Sequence, residues 1–167
     1  FQAEHYWGGD SYEAGVIAGN LGLLYLNQQR YSQARPMLEK SAKVLLRHSG
    51  LAATFDILHC RVLIALTLAS ENRVREADAL LGPVLRDAEI ALGADSIELA
   101  NLLMRAGLAK LRMKQADEGR RMFEHAIGIF EAQNGVGSPE AVAASKRYLG
   151  ALLEAKDSRH ARQVAAR

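Results

Sequence analysis

Apolar residues recur along this chain at helical spacing, and short polar breaks interrupt them at regular intervals. Leu21, Leu24, Tyr25 and Gln28 fall on one face of a helix, and Met37, Leu38, Ser41, Ala42 and Leu45 on a face of the next. The breaks are Asn27-Gln-Gln-Arg30, Ser70-Glu-Asn-Arg73 and Met113-Lys-Gln-Ala116. The spacing predicts helices over 11–28, 31–48, 52–70, 73–92, 95–113, 116–133 and 138–155, paired by tight turns into antiparallel hairpins. No strand-like alternation competes with this period, so the expected fold class is all-α.

The hairpins repeat. Gly8, Gly50, Gly93 and Gly135 are separated by 42, 43 and 42 residues. Gly22, Ala65, Gly107 and Gly150 step by 43, 42 and 43, and Ala34, Ala77, Gly119 and Ala161 by 43, 42 and 42. Leu38, Leu81 and Phe123 keep the same beat, four residues after the third ladder. Each of Gly50, Gly93 and Gly135 follows a long helical pattern, where a left-handed residue ends a helix at little steric cost. Ser96 and Ser138 then read as N-caps, the second followed by Pro139 and Glu140 in the first turn. Glycine within a helix costs about 1 kcal/mol against alanine. The ladder through Gly22 and Gly107 therefore predicts close helix crossings that a side chain would hold apart.

Asn20-Leu-Gly-Leu-Leu-Tyr-Leu-Asn-Gln-Gln-Arg-Tyr-Ser-Gln-Ala34, with Met37, Leu38, Ser41 and Ala42 behind it, resembles the tetratricopeptide repeat. The shared features are a leucine-small pair, an aromatic three further on, an aromatic-x-x-alanine opening the second helix, and a large apolar residue four later. That repeat has a period of about 34 residues. The longer period here, with a linker such as Gly93-Ala-Asp-Ser96, is similar to the kinesin-light-chain-like variety. HEAT and armadillo arrays share the period and are the alternative solenoids. The resemblance implies a right-handed α-solenoid of stacked antiparallel helix pairs. On it, 1–9 is the end of a preceding helix, 10–50, 51–93 and 94–136 are repeats one to three, and 137–167 is a partial fourth, all in one domain. Asp157-Ser-Arg-His-Ala-Arg162 opens a further second helix, and both ends read as cuts in a longer array.

The resemblance also implies that first helices line a concave groove for a peptide, helix or protein surface. Transferring the register places Val16, Asn20, Leu23 and Asn27 on that face, then His59, Leu63, Leu66 and Ser70. Asn101, Arg105, Leu108 and Arg112 follow, and Ala144, Tyr148, Ala151 and Ala155 complete it. The expected partner-binding residues are Asn20, Asn27, His59, Asn101, Arg105, Leu108, Arg112 and Tyr148. Leucines at this spacing equally serve a core, whereas Asn20, Asn101 and Arg105 are poorly explained by a dry one.

Charge narrows the partner. Lys plus Arg total 21 and Asp plus Glu 19, a net +2 that argues against a general polyanion binder. Arg105, Lys110, Arg112, Lys114, Arg120 and Arg121 nevertheless make the third repeat locally basic. They read either as a solvated face or as a grip for an acidic or carboxylate group through Arg105 and Arg112. No aromatic platform accompanies these charges, so nucleic acid is not expected.

Catalysis has no sequence support. The five histidines lack metal-ligand spacing, no nucleophile elbow, Walker loop or dinucleotide fingerprint is present, and no cofactor is implied. The single cysteine, Cys60, sits in an apolar run as a small hydrophobe and leaves cytoplasm and bacterial periplasm both open. The longest nearly apolar stretch, Val62 to Ala69, is short of the ~20 residues of a membrane span. The expectation is a non-catalytic interaction module. The alternative is a sensor or regulatory segment of a larger enzyme or transcription regulator, and Trp7 with its apolar neighbours suggests self-association through an uncapped end.

Overall fold

The computed structural model describes residues 9–166. Among them are eight helices: α1 Tyr12–Asn27, α2 Tyr31–Leu45, α3 Leu51–Ser70, α4 Val74–Leu92, α5 Ile97–Arg112, α6 Ala116–Asn134, α7 Pro139–Glu154 and α8 Ser158–Ala165. Gly8, Trp7 and the helix end expected over Phe1 to Trp7 lie outside the described residues.

Local chemistry sets the boundaries. Ser11, Ser96 and Ser138 cap α1, α5 and α7, each hydroxyl accepting from the backbone N–H three residues on, at 3.1, 3.1 and 3.3 Å. The Asp157 carboxylate caps α8 by accepting from the His160 N–H at 3.3 Å. Gly50, Gly93 and Gly135 all have left-handed φ, at 106°, 89° and 93°.

A fourth ladder, invisible as small residues, closes the turn inside each hairpin. Gln29, Asn72, Lys114 and Lys156 all have φ between 59° and 63°. The next residue's N–H reaches back five positions in every case: Arg30 to the Tyr25 carbonyl, Arg73 to Leu68, Gln115 to Lys110 and Asp157 to Leu152, at 2.8–2.9 Å. This is a Schellman closure, in which orphan helix carbonyls are satisfied by a left-handed residue. Only Asn72 is of a type at home there; the other three carry the left-handed cost of about 1 kcal/mol.

The helices divide into two compact units, the first ending at Leu92 and the second starting at Gly93. In the first, α1 packs on α2, α2 on α3, α3 on α4, and α1 touches α3. Leu38, Leu45, Val62, Leu63, Leu81 and Val84 form its core. α3 is 20 residues long and contains an 18-residue window of mean hydropathy 1.7, enough by length and composition to cross a membrane, unlike the short apolar run expected from the sequence. Half of it is buried inside the unit, as befits a helix packed on both neighbours.

In the second unit α5 packs on α6, α6 on α7, α7 on α8, and α5 touches α7. The small-residue ladder has the predicted role at Gly22 and Gly107. A Cβ on Gly22 would lie 2.6 Å from the Leu38 side chain, and one on Gly107 2.7 Å from the Phe123 ring. Gly150 departs from the ladder: nothing lies within 4 Å of where its Cβ would be. The residue four after Ala161 is Ala165, too small to fill the place that Leu38 and Phe123 take.

Candidate functional site

Two separate faces of first helices hold the expected contact residues. In the first unit, Asn20 of α1 and His59 of α3 meet at a cavity of about 30 Å³, lined also by Val16, Gly19, Asp56 and Leu63. That volume has room for about one water. Ser41 and Cys60 form part of its lining: the Ser41 hydroxyl donates to the Gly15 carbonyl at 2.7 Å and lies 3.1 Å from the Cys60 sulfur. Burial pushes the Cys60 thiol above its ordinary range, with only partial relief from Ser41. A thiol held protonated is a packing group, not a nucleophile.

Asp56 is held at the lip by the Tyr12 hydroxyl, which donates to its carboxylate at 2.6 Å. The His59 ring stacks on Phe55 with centroids 5.6 Å apart. Asn20 is exposed and His59 half-buried, whereas Leu63 and Leu66 of the same register are core residues, 1% and 3% exposed. Asn27 is exposed at the last position of α1.

In the second unit, α5 presents Asn101 in the open, with Arg105, Leu108 and Arg112 half-buried beyond it. The Asn101 side-chain amide donates to the Ile97 carbonyl one turn back, at 3.0 Å. The basic excess expected around this helix is largely consumed in ion pairs. Lys110, nearly buried, lies 2.7 Å from Glu118. Arg120 is paired with Asp117 and, at 3.0 Å, with Asp157. Arg112 lies 3.8 Å from Glu154.

Arg105 differs from these. No hydrogen bond or ion pair ties it to any described residue. Burial lowers its affinity for its proton, and the positive charge of Arg147 lowers it further. A desolvated guanidinium that also feels a second cation is electrostatically unsatisfied, and an anion placed there would offset both effects. Arg147, on α7, was missed by the register argument because it occupies no position in the transferred quartets.

Tyr148 requires a correction. It is 1% exposed, and its ring stacks on Phe123 at 4.8 Å with the planes 13° apart. Phe123 is thereby held between the bare backbone of Gly107 and the Tyr148 ring. The aromatic pair buries both rings, a stronger use of Tyr148 than exposure on a face. Ala144 and Ala151, its register mates, are buried as well.

Residues 16–52 and 57–98 match the family model described as tetratricopeptide repeat. No curated protein matches the chain.

Proposed function

Residues 16–98 carry tetratricopeptide repeats of the type found in kinesin-light-chain-like arrays, and from that premise we propose that the chain docks an acidic segment of a partner protein on its first helices. Repeats of this family are generally non-catalytic protein–protein interaction modules. The finer reading rests on one observation, the half-buried Arg105 with Arg147 as its electrostatic neighbour and no anion paired to it. In this assignment Arg105 receives a carboxylate, with Arg147 in the supporting role expected of Arg112, which is engaged with Glu154. Asn101 at the exposed end of α5 and the half-buried Leu108 flank the contact. In the first unit, Asn20 and His59 border a hollow large enough for the tip of one side chain.

A random peptide library displayed on phage and selected on the immobilised full chain tests this reading. Selected sequences should be enriched in Asp, Glu or a free C-terminal carboxylate. Arg105→Glu combined with Asn101→Ala should weaken them by about thirtyfold or more, the scale of disrupting a desolvated charge pair. Selected peptides without acidic groups, bound equally by wild type and double variant, would overturn the assignment.

A further inference from the structure

The cavity of about 30 Å³ among α1, α2 and α3 of the first unit has a polarity that selects its occupant. The hydrogens of its floor are already in use. The Ser41 hydroxyl donates to the Gly15 carbonyl at 2.7 Å, so its 3.1 Å contact with Cys60 is a donation from the thiol to the Ser41 oxygen. Both side chains are buried, and each has lone pairs but no hydrogen left for a guest.

The rim adds charge. Asp56 is the carboxylate of the lining, and no Lys or Arg shares that lining. One of its oxygens accepts from Tyr12 at 2.6 Å, and no described cation is paired with it. Its charge reaches the floor: burial raises the Cys60 thiol, the Ser41 hydrogen bond lowers it, and Asp56 raises it further. Asn20, exposed at the mouth, has a side-chain oxygen that adds a further acceptor.

Size and charge together narrow the guest. Room for about one water suits a compact ammonium group and is too small for a planar guanidinium. A carboxylate tip would meet the charge of Asp56 and find no free hydrogen on the floor. A water fits the volume but brings Asp56 no charge, whereas an ammonium brings three donors and a positive charge. Half-buried Val16 and the His59 ring, stacked on Phe55, offer apolar surface along which an aliphatic stem can lie. We propose that this cavity receives the ammonium group of a lysine from a partner protein, held by Asp56, the Asn20 side-chain oxygen and a Ser41 lone pair. It rests on the docking of a partner on the first helices, and adds to it a contact opposite in charge to that at Arg105.

The test is an NMR titration of the isotope-labelled full chain at pH 7 with lysine blocked at both backbone ends, n-butylammonium, n-butylguanidinium and n-butanol. Blocked lysine and butylammonium should shift Asn20, Asp56 and His59 saturably, and bind about tenfold more tightly than the guanidinium and the alcohol. Asp56→Asn, which keeps an acceptor for Tyr12, should weaken both by about tenfold, and Asn20→Asp, at an exposed position, should tighten both by about threefold. Arg105→Glu should leave both unchanged while it weakens acidic peptides, so the two contacts are read apart. No saturable shift at these residues, equal binding of butylammonium and butanol, or binding indifferent to both substitutions would overturn the lysine site and leave the Arg105 contact standing. Binding of butylammonium without blocked lysine would overturn it as well, because the occupant would then be a free amine.

Discussion

Gly107 and Gly150 stand at equivalent positions of successive first helices in one unit, and the structure predicts opposite signs for the same substitution. Alanine in place of a helix-interior glycine gains about 1 kcal/mol of backbone propensity. At Gly150 nothing opposes it, since the new methyl meets no atom within 4 Å. Gly150→Ala should therefore stabilise the unit by about 0.5–1 kcal/mol. At Gly107 the methyl would lie 2.7 Å from Phe123 Cδ2 and 3.0 Å from the Gly119 carbonyl oxygen. The ring is backed by Tyr148 at 4.8 Å, and the carbonyl belongs to the α6 backbone. Overpacking of this kind costs about 1–3 kcal/mol, and a pinned ring places the cost near the upper end. The net result for Gly107→Ala is a loss of about 1–2 kcal/mol, separating the two variants by roughly 2 kcal/mol or more. Native-state hydrogen exchange of α5 and α7 amides reads that difference within the unit that holds both sites. Equal stabilisation by both variants would refute the close-crossing account of the ladder.

Asp157 gives a pH signature: hydrogen bonds from His160 and the charges of His160 and Arg120 hold its carboxyl below the ordinary value, against a smaller effect of burial. A depressed carboxyl stabilises fully above its unfolded value, near pH 4, and the contribution fades as pH falls through the lower folded value. Asp157→Asn should thus be less stable than wild type at pH 6, with the gap closing toward pH 2 in denaturant titrations; a gap independent of pH would contradict the pairing. Cys60, 4% exposed with its thiol raised by burial, should resist iodoacetamide at pH 8 until the chain is unfolded, whereas labelling at the rate of a free thiol would contradict its packing role. Ser96→Ala removes the cap of α5 and should cost about 1 kcal/mol in urea unfolding, with Ser96→Asp restoring most of it. A cost below a few tenths would show that the cap is dispensable.

The helices were legible because their period, caps and glycines are local facts. Ser96 and Ser138 announce their caps, and Gly22 and Gly107 announce crossings whose partners, Leu38 and Phe123, sit at fixed sequence distance. The left-handed turns at Gln29, Lys114 and Lys156 were not legible, because the tertiary turn imposes a conformation those side chains do not advertise. Gly150 kept the period without the crossing because the filler residue is Ala165. At the candidate site, the exposure of Asn20 and Asn101 could be anticipated from their polarity. The burial of Tyr148 could not, since it depends on the Phe123 ring arriving from another helix. The isolation of Arg105 emerged only once Arg112, Lys110 and Arg120 were seen to have found acids.

An acidic ligand docked on the first helices should touch the chain at Arg105. An NMR titration of the isotope-labelled full chain with a selected acidic peptide should shift the Arg105 and Arg147 side-chain signals and the Asn101 and Leu108 amides, saturating with the binding curve. Saturable binding that leaves those four signals in place and moves only residues of the second helices α2, α4 and α6 would contradict it.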